Sequence, residues 1–295
     1  MTQAPPPPQA TPSQGVPRLA ARQLIGSTFS FQLRPFADVA TFLRSMGTTE
    51  VELWGVAPHL DLFTADDARV AEVGRILADN GLRLRCYTPE QVLYPVDIAS
   101  GDACYRSVSI DRFLRAADIA AELGATYLFL TGGRGFATDA PEATWARSAE
   151  ALVRIVTHAA DRGLRCLLEP LQPTESTILH NAADLRRMYD QIAQPTVDVV
   201  LDLVAMAGAG DSVADYLRLF GDRIAHVHVV DGRPAGHLVW GDGTLPLGAY
   251  LTELAVAGYR GTLAFEPFGD GSYARDPETA WARNHAAIAP YLQEA

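Results

Sequence analysis

From Leu24 to the C-terminus, short runs rich in branched and aromatic residues alternate eight times with longer amphipathic segments, and that alternation leaves few folds open. The short runs are LIGSTFSF (24–31), TEVELWG (49–55), LRLRCYT (82–88), ATYLFLT (125–131), LRCLLEP (164–170), VDVVLDL (197–203), IAHVHVVD (224–231) and TLAFEPF (262–268). Strand and helix in turn make βα units, whose strands lie parallel because each is regained through a helix. The helical segments close at or beside a glycine (Gly47, Gly81, Gly124, Gly163, Gly221, Gly258), the residue that takes the left-handed cap at least cost. Eight units of roughly 35 residues without a break in composition predict a closed (β/α)8 TIM barrel. It spans residues 23–295 as one catalytic domain. An open doubly wound sheet is the competing arrangement, but no GxGxxG follows the first run to support its dinucleotide-binding form. Residues 1–22, with their polyproline run, read as a disordered lead-in.

A barrel of this kind places its active site at the C-terminal ends of the strands, so polar residues there weigh most. Four consecutive runs end in a strong metal ligand: Glu169 in the fifth, Asp202 in the sixth, His228 in the seventh and Glu266 in the eighth. Each follows an apolar stretch, where an unpaired carboxylate is costly. Taken singly, the glutamates read equally well as rim carboxylates and His228 as a core histidine. Four in succession on neighbouring strands are expected to converge on one divalent ion. Three carboxylates and an imidazole form a mostly hard oxygen set, suited to Mn²⁺ first and to Mg²⁺ or Co²⁺ next.

His226 shares a face with His228 by period-two alternation and reads as core, one layer deeper. Glu52, inside the second run, reads as a buried hydrogen-bond partner that orients other groups. Around the rim, Trp54 and His59 at the second run, Tyr87 and Glu90 at the third, and His237 and Trp240 after the seventh are candidates for substrate contact. Aromatic rings there stack on the apolar faces of a sugar. Arg134, in TGGRG, reads as solvated.

A formal net charge of −11 repels a polyanion, which argues against nucleic acid and for neutral or cationic small substrates. No apolar run approaches the ~20 residues of a membrane-crossing helix, and the first residues lack the apolar stretch of a signal peptide. Cys86, Cys104 and Cys166, without CxxC spacing, read as core residues of a cytoplasmic protein.

The segments VELWGVAPH, CYTPEQVLYP, LLEPLQPTES, HVHVVD, GHLVWGDGTLPL and GYRGTLAFEPF, in this order, resemble the sugar phosphate isomerase/epimerase family with the xylose isomerase-like barrel. The resemblance covers nearly the whole chain after residue 24, and within the family it is greatest to the fructoselysine and ketose 3-epimerases. It implies a metal held by Glu169, Asp202, His228 and Glu266, with Glu169 and Glu266 doubling as acid and base. It further implies substrate contact by Glu175, six residues after Glu169, and by Arg233, an approximate match for a substrate-binding arginine. The sequence departs from many ketose epimerases at Ala205, where they carry a histidine, and in a longer loop up to GDG.

The chemistry expected is removal of a proton beside a ketone and its return to the opposite face, the charge of the enediolate being stabilised by the ion. That is 3-epimerisation of a ketose or ketose-like sugar derivative. No phosphate-binding loop and no basic cluster after the seventh and eighth runs are found, so an unphosphorylated sugar is expected. A lyase or dehydratase of a keto-inositol or a 3-oxo-glycoside is the first alternative, because the same enediolate serves elimination; a non-catalytic sugar-binding barrel is the second. An abasic-site endonuclease is disfavoured by only 7 histidines and the acidic balance. A homodimer is expected.

Overall fold

Eight parallel strands follow one another in chain order in the computed structural model, which describes residues 15–233 and 235–294. They are β1 (Gly26–Ser27), β2 (Glu50–Gly55), β3 (Arg83–Pro89), β4 (Tyr127–Thr131), β5 (Arg165–Glu169), β6 (Val197–Asp202), β7 (Ile224–Val229) and β8 (Thr262–Phe265). Each pairs with the next. The ring closes between last and first, where Leu24 bridges Leu263 in parallel and the Ile25 N–H donates to the Leu263 carbonyl at 2.9 Å. The chain is therefore a (β/α)8 TIM barrel.

Helices alternate with the strands, among them Asp67–Asp79, Ala103–Glu122, Ala182–Ile192 and Val213–Phe220. Their starts are written in the sequence: Asp66, Asp102, Asn181 and Ser212 each accept a backbone N–H of the first turn, which stabilises a helix by about 0.5–2 kcal/mol relative to alanine. Gly81 and Gly124 take φ of +60° and +70° just past two helix ends, a conformation that side chains resist.

Period-two alternation divides the core. Side chains pointing outward from the strands meet the inner helix faces in one continuous apolar shell that includes Leu53, Phe113, Leu152, Leu185 and Leu251. Burying each such leucine contributes about 1.5–3 kcal/mol. Inward-pointing side chains fill the lumen with a smaller cluster of Cys86, Tyr127, Phe129, Leu167 and Val200.

Three sequence expectations need correction. The run 24–31 is strand only at Gly26–Ser27, because the chain turns at Thr28, whose carbonyl accepts the Phe31 N–H, and Ser30 adopts φ +69°. The composition puts the end of a disordered lead-in at residue 22, yet Leu19–Ala20 pairs in parallel with Leu292–Gln293 and Leu19 is buried; residues 1–14 of that segment lie outside the described residues. Cys86 and Cys166 are buried as expected of core thiols, but Cys104 is exposed on the first turn of its helix. Among the described residues no helix is long and apolar enough to cross a membrane.

Candidate metal centre

Glu169 and Asp202 are the last residues of β5 and β6, His228 is the penultimate residue of β7, and Glu266 directly follows β8. All four are buried, and one ligand atom from each lies within 4.8 Å of the other three. His228 Nδ1 stands 2.9 Å from Glu169 Oε1, 3.0 Å from Glu266 Oε2 and 3.9 Å from Asp202 Oδ2. None of these four atoms meets hydrogen-bond geometry with any partner. Leaving a buried polar atom unsatisfied costs about 1–3 kcal/mol, so four aimed at one point fit a cation. Asp202 has its other oxygen occupied: Oδ1 accepts the Ala205 N–H and caps the helix Leu203–Ala209, which leaves Oδ2 turned to the cluster.

Behind the ring of His228 lies Glu52. Its carboxylate is 3.3 Å from His228 Nε2 and 3.0 Å from His226 Nε2, and it accepts the Thr88 hydroxyl at 2.6 Å. Since an ionised carboxylate only accepts, Nε2 of His228 carries a proton toward Glu52, and Nδ1 is the nitrogen turned to the three acids. His226 Nδ1 reaches the Thr262 hydroxyl at 2.7 Å, so this inner layer is fully paired. Burial pushes the Glu52 carboxyl up, but His228 and His226 outweigh it and hold the group well below the usual carboxylate range. For His228, burial acts downward and is overcome by Glu266, Glu52 and Glu169, which raise it well above its ordinary value. Burial pushes Glu169 up to about 7 and Glu266 well above the usual range. The acids thus crowd one point with more negative charge than the interior favours.

A cavity of about 370 Å³ opens above the cluster, lined by Phe29, Trp54, Glu90, Glu175, His237 and Phe268 among others. Phe29, Trp54 and Phe268 form a triangle of rings with centroids 5.0–5.4 Å apart, and His237 meets Phe268 edge-on at 5.0 Å. Trp54 Nε1 donates to Glu90 Oε2 at 2.7 Å. His237 Nε2 lies 3.7 Å from Glu266 Oε2, and burial lowers its pKa. Glu175 accepts the Gln172 N–H at 3.0 Å, and burial pushes it up to about 7. Ala205 lines the cavity where a histidine would project.

Of the expected substrate contacts, Trp54, Glu90, Glu175 and His237 line this cavity, whereas four others do not. His59 is buried beside Phe36 with Nε2 3.0 Å from the Arg34 carbonyl. Tyr87 points out of the barrel and donates its hydroxyl to Leu60 O at 2.7 Å. Trp240 stacks on Tyr291 and is tied to Asn284. Arg233 is exposed and donates to the Asp242 carbonyl, because its loop is gathered around buried Asp231, which accepts the N–H groups of Gly232, Gly241, Gly243 and Leu245. Arg134 is tethered to the Val92 carbonyl at 2.9 Å. Phe29 and Phe268 were missed; both lie within the first and last runs, and the strand-end rule applied to aromatics as well as acids would have marked Phe268.

The xylose isomerase-like TIM barrel family model matches residues 40–291. Fructoselysine 3-epimerase of Escherichia coli O157:H7 is 28% identical over 241 residues, covering 81% of this chain and 88% of its own length. Among solved structures, an L-ribulose 3-epimerase superposes with a TM-score of 0.75 at 23% identity, over 91% of this chain and 94% of its own. A 3-keto-D-glucoside 4-epimerase from E. coli follows with a TM-score of 0.72 at 20% identity, over 88% and 98%. These two superpositions speak for the fold. With the family model spanning most of its length and epimerases among its relatives, this chain is an enzyme belonging to the xylose isomerase-like TIM barrel family.

Proposed function

We propose that the protein is a divalent-metal-dependent epimerase that inverts carbon 3 of a ketose or ketose-like sugar derivative. The observation that carries this reading is the convergence of four unpaired ligand atoms, from Glu169, Asp202, His228 and Glu266, at the floor of a sugar-sized cavity. The donor set suits Mn²⁺ first, then Mg²⁺ or Co²⁺. When bound, such an ion supplies the Lewis acidity that polarises a ketone and stabilises charge on its oxygen.

Glu169 and Glu266 come from β5 and from just past β8, on either side of Asp202 and His228, so they flank the site. One removes the proton from carbon 3 and the other delivers a proton to the opposite face. Burial raises both carboxyls above the usual carboxylate range, and a bound cation would act in the opposite direction. The rings of Phe29, Trp54 and Phe268 cover an apolar sugar face and exclude water. No lysine or arginine is among the cavity's lining residues, while Glu90 and Glu175 are. That charge pattern favours an unphosphorylated ketose, neutral or bearing an amine as fructoselysine does. The reading includes a cytoplasmic homodimer; sedimentation as a monomer removes that part.

The test is incubation of the Mn²⁺-loaded protein with ketoses and fructosamines in D₂O, with NMR for deuterium at each carbon. Deuterium at carbon 3 in the wild type and none in Glu266→Gln supports epimerisation. No exchange at any carbon, with metal bound, overturns it in favour of elimination or binding without turnover.

A further inference from the structure

At the opposite mouth of the barrel, among the N-terminal ends of the strands, lies a second cavity of about 970 Å³. Its lining includes Arg85, Arg165, Arg223 and Arg260 against Asp198 and Asp222, so four cations face two carboxylates in a chain whose net charge is −11. Asp198 is already engaged: it accepts from Arg165 Nε and its terminal nitrogen at 2.6 and 2.8 Å, and from Arg223 at 3.4 Å. Arg85 has no carboxylate partner among the described residues. Its guanidinium lies 5.2 Å from the centroid of the Tyr127 ring, and its Nε is buried with no acceptor. A ring face stabilises a cation but supplies no lone pair for a buried N–H. The lumen cluster of Cys86, Phe129, Leu167 and Val200 lies between this cavity and the metal centre.

We infer that this bottom cavity is a second binding site, for a phosphoryl dianion. Guanidinium groups pair with the oxygens of phosphate through paired donors, and here Arg85 and Arg165 come from β3 and β5 while Arg223 and Arg260 come from the segments that lead into β7 and β8, so the donors approach from several sides, as a tetrahedral anion with several acceptors requires. The volume exceeds that of free phosphate and admits the organic part of an ester. Both sources share the same chemistry, and the test separates them.

The full chain, loaded with Mg²⁺, is titrated with inorganic phosphate and, separately, with adenosine monophosphate, followed by ³¹P NMR. Saturable binding is expected, weakened at least tenfold in Arg85→Gln and tightened in Asp198→Asn, which no longer competes for Arg165 and Arg223. Phosphate raises the melting temperature of the wild type and leaves that of Arg85→Gln unmoved, so a variant that melts lower on its own is still informative. Tighter binding of the nucleotide than of phosphate assigns the site to an ester; equal affinities assign it to the free anion. Binding that does not saturate, or that Arg85→Gln and Asp198→Asn share unchanged with the wild type, overturns the inference, including the case in which phosphate merely meets the ion at the other mouth.

Discussion

Glu52 stands behind His228, its Oε2 3.3 Å from Nε2, on the side of the ring away from the acidic cluster. It contributes nothing to the ligand set, yet it decides which nitrogen of His228 is free to bind. Replacing it with glutamine puts a donor where an acceptor is needed. Glu52→Gln is expected to weaken divalent-ion affinity by about 10–100-fold, measured by competition with a chelator. Affinity equal to the wild type would show that Nδ1 is held by something else.

Asp202 has two tasks that a single substitution separates. Asparagine still caps the helix Leu203–Ala209, but brings no charge to the cluster. A cation at a hundred times its dissociation constant stabilises the wild type by about 2.7 kcal/mol. Thermal unfolding with and without metal should show that gain in the wild type and lose most of it in Asp202→Asn. A full metal-dependent rise in the variant would place the ion elsewhere.

The ring triangle of Phe29, Trp54 and Phe268 gives the cavity its apolar wall. Edge contacts between rings are worth about 0.5–1.5 kcal/mol each, and Phe268 makes three, counting His237. Phe268→Ala is expected to lower kcat/KM by about tenfold or more, the equivalent of ~1.4 kcal/mol, mainly through KM. Unchanged steady-state kinetics would remove this wall from the substrate site.

His59 makes the fold sensitive to acid. Burial pushes its pKa down to about 4, against the pull of the Arg34 and Phe31 carbonyls and with help from nearby Arg69. Below 6.5 the unfolded chain takes a proton that the folded chain refuses until about pH 4. Stability is therefore lost as pH falls through that window, by about 1.4 kcal/mol per unit. Urea unfolding at pH 7 and pH 5 should show the wild type losing about 2 kcal/mol more than His59→Gln. Equal losses would mean that His59 titrates normally.

The barrel and the cluster of three acids and one histidine were legible because both follow from periodicity: alternation sets the strands, and a polar residue at the end of an apolar run lies at the mouth. The same alternation also held information left unused. Thr88 faces the lumen and bonds Glu52, so Tyr87, its neighbour, must face the helices, as it does. Loop residues were beyond this logic. Nothing local to His59, Arg233 or Trp240 says which way its loop turns; Arg233 is directed outward by Asp231 gathering amides from residues up to 14 positions away. The pairing of Glu52 with His226 and His228 was equally hidden, since its partners lie 174 and 176 positions along the chain.

The staves of this barrel are unequal. β2 and β3 are paired over six positions, while the first stave has two residues and meets the last through the single bridge of Leu24 to Leu263. What reinforces that joint sits at its upper end: the Ser27 hydroxyl donates to the Phe265 carbonyl at 2.5 Å, the Ser30 hydroxyl to that of Pro267, and Phe29 meets Phe268 across the gap at 5.3 Å. The same two rings line the cavity, so a ligand resting on them rivets the joint shut. Occupancy and closure of the barrel are then one equilibrium, and the amide of Ile25, which bonds across the joint, is where slowed hydrogen exchange would report that the cavity is filled.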